Sequence, residues 1–247
     1  MKVSIITSTY NSASTLRDTL ESIANQSYTT IEHIIIDGLS TDSTLDIVKD
    51  FTHVAKVISE HDKGIYDAMN KGIDHATGEI IGILNSDDFY TYQNALQDVV
   101  AVFKENEVDC VYADLDYVDQ KDTSKVVRKW KSGNFHQDSF SRGWMPPHPT
   151  FFVKKHIYEK YGTFNLEMGT AADYELMLRF LEKHQCSVAY LPKTIINMRT
   201  GGASNMSFSA RLKANRMDQK AWKINGLKPS LFTTVLKPLR KIVQYLP

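Results

Sequence analysis

Glu79-Ile80-Ile81-Gly82-Ile83-Leu84-Asn85-Ser86-Asp87-Asp88-Phe89-Tyr90 is the stretch that decides the fold. Its apolar run, Ile80 to Leu84, reads as a strand buried on both faces, the kind found in a parallel sheet. The run stops at two adjacent carboxylates. Burying either without a partner costs on the order of several kcal/mol, so both are expected to face water, a cation or a ligand. Open α/β sheets place ligands just past the carboxyl ends of their strands. Two carboxylates there suit a hard divalent cation, Mn²⁺ or Mg²⁺, which takes oxygen ligands and bridges protein to a diphosphate. The competing reading is an Asp-rich turn that caps the next helix.

Working outward, the same strand-then-helix texture fills the first hundred residues. Val3 to Thr7 is a β-branched run, and Leu16, Leu20 and Ile23 after it share one helical face. Ile31 to Ile36 is a second buried strand ending at Asp37-Gly38. Ser40 or Thr41 can cap a helix carrying Leu45, Val48 and Phe51. Val54 to Ile58 is a third strand, and the polar loop Ser59 to Gly64 leads into a helix with Ala68, Met69, Ile73 and Ala76. After the acidic pair comes a helix bearing Leu96, Val99, Val100 and Phe103. Four alternations predict an α/β, Rossmann-like, mostly parallel sheet with helices on both faces. Right-handed crossovers put all four strand ends on one edge. Ser8-Thr9, Asp37, Glu60 to Asp62 and Asp87-Asp88 are then expected to line one crevice.

After Cys110 the texture changes. Val111 to Val118 alternates like a half-exposed strand, with Val126 to Trp130 as its antiparallel partner. Ser132 to Pro149 is loop-like, Thr150 to Val153 strand-like, and Lys155 to Tyr161 and Ala172 to His184 are helical. These elements predict a second lobe on the same domain. Residues 1–105 form one half and residues 106–205 the other, followed by a helical tail over 206–247.

With 29 basic and 29 acidic side chains the net charge is zero, which argues against a surface that coats nucleic acid. Cys110 and Cys186 have neither metal-ligand nor redox spacing and read as buried thiols. Nothing resembles a secretory signal or a membrane span, so a cytoplasmic location is expected. There is no G-x-G-x-x-G after the first strand and no P-loop, which removes the main support for dinucleotide redox or P-loop chemistry. No nucleophile elbow is present. Asp37 ends a strand in a nucleotide-sized crevice and can accept from a base or a ribose, or it is simply a turn residue. Lys63 can meet a diphosphate as a point charge, and Gly64 lets backbone approach a ligand.

Taken together, Val3 to Asn11, Ile34 to Thr44 and Leu84 to Asp88 resemble the nucleotide-binding half of family 2 glycosyltransferases. The resemblance continues through Met145 to Phe152, Gly169 to Leu176 and Arg199 to Ser204. It implies a GT-A fold and inverting transfer of a sugar from a nucleotide donor, here a UDP-sugar. It implies that Thr9 and Asp37, with Tyr10, hold the base, and that Lys63 and Asn70 lie near the donor. By the same resemblance Asp87 faces the ribose or donor sugar, while Asp88 ligates Mn²⁺ or Mg²⁺. Two positions depart from the commoner pattern: Asn85 stands where an aspartate is frequent, and Ala172 where a glutamate is usual.

Asp173 is the expected general base, near a helix start where the macrodipole favours its ionised form. Its alternative is a plain helix cap. His148, in Pro146-Pro147-His148-Pro149, contacts acceptor or metal-diphosphate, or is a structural loop histidine. Arg199 with Gly201-Gly202 can close over the diphosphate. Trp144 and Met168 belong either to an acceptor wall or to the core. The expected acceptor is a glycan or lipid-linked oligosaccharide. The basic and apolar tail from Lys228 through Lys237, Arg240 and Lys241 suits an anionic membrane surface or packing on the domain. Other readings are a non-catalytic sugar-nucleotide-binding relative and a sugar nucleotidylyltransferase, though Ser8-Thr9-Tyr10-Asn11 offers no glycine or cation for the latter.

Overall fold

The computed structural model describes residues 1–201 and 208–228. The first half alternates as expected: β1 (Val3–Thr9), α1 (Leu16–Ala24), β2 (Ile31–Asp37), α2 (Thr44–Lys49), β3 (Val54–Ser59), α3 (Ile65–His75) and β4 (Ile80–Ile83). Then come β5 (Asp88–Tyr90), α4 (Ala95–Asn106), β6 (Cys110–Val118), β7 (Val126–Trp130), β8 (Phe152–Lys154), α5 (Lys155–Tyr161), α6 (Ala172–Leu178), β9 (Val188–Arg199) and α7 (Phe208–Ile224). One mixed sheet runs β3-β2-β1-β4-β8-β6-β9-β5, with β7 paired to β6. β3, β2, β1 and β4 are parallel, and β8 joins antiparallel between β4 and β6.

Helices cover both faces because the buried strands need apolar cover on each side. On one face Ile6, Ile34 and Ile36 pack against Ala68, Met69 and Ile73 of α3. On the other, Val3, Ile5 and Ile80 meet Ile23 of α1 and Leu96, Val99 and Phe103 of α4. Gly72 lets α3 lie close on β1: a Cβ there would sit 2.3 Å from Ile6 Cγ2.

Several local expectations are corrected. β6 is not half-exposed: its first six residues are buried, because β8, β9 and β7 flank it and the sheet is covered on both sides. Ser40 does not cap α2. Its hydroxyl turns back to Asp37, Asp42 accepts the Thr44 N–H instead, and Phe51 lies beyond the helix end. β5 and β9 have no counterpart in the sequence reading. β5 is three residues long, and β9 carries Pro192 where its register with β6 slips. A proline and irregular pairing hide a strand from pattern reading. Both cysteines are buried and free, as expected. Gly202, Ser204, Lys237, Arg240 and Lys241 lie outside the described residues.

Candidate active site

Between β1 and β4 the strand order reverses, and such a switch point opens a crevice beyond the carboxyl ends. Thr9, Asp37 and Ser59 end three of these strands, and the acidic loop follows the fourth. The Gly38 N–H donates to the Thr9 carbonyl at 2.9 Å, joining the ends of β1 and β2. Beyond the carboxyl ends of β1, β2 and β3 opens a cleft of about 400 Å³, lined by Tyr10, Gly38, Leu39, His61 and Asp62. Tyr10 is 62 % exposed, an unusual position for so large a ring. Gly38 keeps the wall thin, since a Cβ there would lie 2.5 Å from Asp62 Oδ2. A second cleft of similar volume, between α2 and β3, is lined by Leu45, Val48, Phe51, Val54 and Val57 and lies apart from this crevice.

Asp37 is fully buried, and its carboxylate accepts from the Ser40 N–H (3.1 Å), the Ser40 hydroxyl and the Ser59 hydroxyl (2.6 Å). Those charge-assisted bonds offset burial and fix the group beneath the cleft. The buried hydroxyls of Ser8 and Thr9 make no hydrogen bond within the described residues. The loop before α3 is set by Asp62, which accepts from Gly64 N–H at 2.8 Å, and by Asp67, which accepts from Lys63 N–H at 2.9 Å. Gly64 has φ 109°, a conformation glycine adopts without strain. Lys63 is left exposed at the crevice rim.

The two members of the acidic pair differ in exposure. Asp88, expected to hold the metal, has no exposed surface. It lies at the start of β5, and Asn85 Nδ2 donates to its Oδ2 at 3.3 Å, while Oδ1 has no partner. Burial, then the neighbouring Asp87 charge, pushes its carboxyl well above the usual range. Asp87 is the member that reaches solvent. Partial burial raises its carboxyl too, and the Arg199 guanidinium opposes that rise. The Asp87 charge therefore makes Asp88 harder to ionise, and a cation at Asp87 would offset that repulsion.

Arg199 is not a free cation over the crevice. It is 6 % exposed, donates to the Asp87 carbonyl (2.8 Å) and to the Asp18 carboxylate, and stacks on Phe89 at 5.0 Å. It fixes the backbone of the acidic loop. Asn70 is likewise engaged: its amide donates to the Phe164 carbonyl and accepts the Phe164 N–H, both at 2.9 Å. It ties α3 to the second lobe.

In that second lobe Asp173 opens α6 and is partly exposed. His148 lies close enough for the Asp173 charge to favour its protonated form, although burial dominates and lowers its pKa. Its ring meets Phe164 edge-on at 5.4 Å, and Tyr66 packs on the same ring at 5.2 Å. Burial, then the Asp173 carboxylate, raises the Tyr66 phenol far above its ordinary value. Tyr66, Phe164, His148 and Asp173 thus form one cluster, and Tyr66 was not singled out in the sequence. His148 was expected beside a metal, but among the described residues no three His, Cys, Asp or Glu side chains gather as a metal site. Trp144 and Met168 belong to the core rather than a wall: they are 6 % and 0 % exposed, and Trp144 Nε1 donates to the Ser132 carbonyl at 2.7 Å. α6 is anchored by the Glu175–Arg179 pair (3.0 Å) and by Trp222 of α7, which donates to the Tyr174 hydroxyl at 2.9 Å.

The model of the family described as Glycosyl transferase family 2 matches residues 4–162. The chain belongs to this family. Proteins similar to it include a PGL/p-HBAD biosynthesis glycosyltransferase of Mycobacterium tuberculosis, 32 % identical over 208 residues, covering 82 % of this chain and 78 % of that protein. An uncharacterized glycosyltransferase of Nostoc sp. is 35 % identical over 171 residues, covering 65 % of this chain and 53 % of that one. Among solved structures, S. aureus TarS 1-349 in complex with UDP-GlcNAc superposes with TM-score 0.70 at 18 % identity, covering 96 % of this chain and 69 % of that one. The mannosyltransferase PcManGT of Pyrobaculum calidifontis, in complex with GDP-Man and Mn²⁺, gives TM-score 0.67 at 20 % identity, covering 95 % and 68 %. The fold is therefore GT-A, and the enzyme is a glycosyltransferase.

Proposed function

We propose that this glycosyltransferase moves a sugar, with inversion, from a UDP-sugar to a hydroxyl of a glycan or lipid-linked acceptor. What supports the donor site is the cleft beyond the ends of β1, β2 and β3, with the exposed Tyr10 ring in its lining and the buried Asp37 carboxylate at the end of β2 beside it. Tyr10 offers a stacking face for the base, and Thr9 has an unpartnered buried hydroxyl beside it. The mycobacterial relative is named for PGL/p-HBAD biosynthesis, and the two solved structures hold UDP-GlcNAc and GDP-Man, which favours a nucleotide-sugar donor here.

A divalent cation, Mn²⁺ or Mg²⁺, would be held through Asp87, the partly exposed member of the pair, with Asp88 and Asn85 behind it. The donor set fits: oxygen ligands, two adjacent carboxyls each raised by the other or by burial, and too few protein ligands for a closed cage. Ions of this type complete their coordination with substrate phosphates and water. When bound, the ion supplies electrostatic stabilisation of the leaving diphosphate. Lys63 adds charge from the rim.

The chain's own part in transfer is to hold the acceptor and take its proton. Asp173 is the base in this reading. The observation that carries it is its partly exposed place in the first turn of α6, with the raised Tyr66 phenol and the mainly neutral His148 around it. A phenol that stays protonated donates to a carboxylate and orients it, while the carboxylate keeps a free oxygen for the acceptor hydroxyl. Asp173→Asn tests this: turnover should be lost and UDP binding kept. Unchanged turnover would remove Asp173 as the base.

A further inference from the structure

Charge is distributed unevenly in this neutral chain. Residues 219–247 contain six Lys or Arg and no Asp or Glu, leaving residues 1–218 with 23 cations against 29 acids. The structure shows where the described part of this basic segment lies. α7 buries Ala221, Trp222 and Asn225 against α6, and the one acid within 216–228, Asp218, is turned inward at 6 % exposure. The opposite face therefore carries Arg216, Lys220 and Lys223 at helical spacing, with Ile224 44 % exposed beside them and Lys228 just past the helix end. This outward face joins cations to exposed apolar surface.

The face is also tied to the catalytic lobe. Trp222 and Asn225 bond Tyr174 and Glu175, the residues that follow Asp173, at 2.9 and 3.0 Å. Lys220 Nζ reaches the Glu167 carbonyl at 3.4 Å, in the turn that leads into α6 and that exposes Leu166.

We infer that the outward face of α7 docks on an anionic phospholipid bilayer, and that it thereby holds the Asp173 side of the crevice at the membrane surface. This deepens the reading of a lipid-linked acceptor, on which its biological meaning rests. A bilayer with anionic headgroups is attracted by the cations and takes the apolar side chains into its interface, which is the pairing seen here. The net negative remainder of the chain is repelled by the same headgroups. A nucleic acid would be met by the same cations but would leave Ile224 and Leu166 without a partner.

The test is co-sedimentation of the full chain with phosphatidylcholine vesicles, with and without about one third phosphatidylglycerol. The expected result is binding to the anionic vesicles alone, falling steeply with added salt because exposed charges are screened. Arg216→Gln/Lys223→Gln/Lys228→Gln should reduce partitioning about a hundredfold, roughly fivefold per cation. Ile224→Ser should reduce it further while keeping the salt dependence. Both variants should bind UDP as the parent does, which separates failure of docking from failure of the fold or of the donor site. Absence of vesicle binding, equal binding to neutral vesicles, unchanged binding by the triple variant, or preferential binding of single-stranded RNA would each overturn the proposal.

Discussion

A few side chains carry the chemistry, and most of their neighbours hold them still. Replacing Asp173 by Asn should lower kcat about a thousandfold, within the range general bases contribute, and leave the UDP dissociation constant unchanged. Single-turnover kinetics beside UDP titration reads both. Arg199 acts through the acidic loop, since its guanidinium spans the Asp87 carbonyl, Asp18 and Phe89. Lysine cannot form that fork. Arg199→Lys should therefore weaken metal-dependent UDP binding about tenfold while kcat at saturating donor changes little, a split that direct contact with the reacting sugar would not give. Which of Asp87 and Asp88 is buried was not legible in the sequence, because adjacent carboxylates are indistinguishable in one dimension. Only the three-residue pairing of β5 with β9 turns Asp88 inward. Arg199 and Asn70 were legible as important polar residues, but their partners, Asp18 and Phe164, lie far off in sequence and could not be named.

Among the elements, β1 to β4 and the helices between them were readable because apolar periodicity and turn residues agree throughout. The contact of α3 with β1 shows how tightly that agreement is realised. Gly72→Ala would push a Cβ onto Ile6. Overpacking of this kind costs about 1–3 kcal/mol, so the urea midpoint should fall while UDP affinity of the folded fraction stays the same. β9 was not legible. Its pairing with β6 slips beside Pro192, and proline within a strand argues against a strand in any pattern-based reading. Since Arg199 ends β9, missing the strand also hid why Arg199 meets the acidic loop. Tyr66 escaped notice for a related reason: its cluster with Phe164, His148 and Asp173 joins segments about a hundred residues apart.

In the whole molecule, stability and function meet in the buried polar groups of the sheet. His33 is fully buried between Thr7 (3.0 Å) and His53 (3.1 Å), and burial, then the His53 charge, lowers its pKa from 6.5 to about 3. A neutral native His33 and a protonatable unfolded one mean that stability is full above pH 6.5 and falls as pH drops from there towards 3. Its contribution changes by about 1.4 kcal/mol per pH unit. Urea unfolding at pH 7.5 and 5.5 should show a loss in the parent that is smaller in His33→Asn; equal losses would contradict the assignment. Among the described residues no helix is long and apolar enough to cross a membrane. In the proposed function the cleft beyond the ends of β1, β2 and β3 binds a nucleoside diphosphate, with a cation on Asp87 in the loop after β4. Calorimetric titration with UDP, with and without Mn²⁺, on the parent and on Asp87→Asn, tests it most directly. The account predicts micromolar binding by the parent that is strengthened by Mn²⁺, and loss of that strengthening in Asp87→Asn. Metal-enhanced binding that survives Asp87→Asn, or no nucleotide binding by the parent, would contradict it.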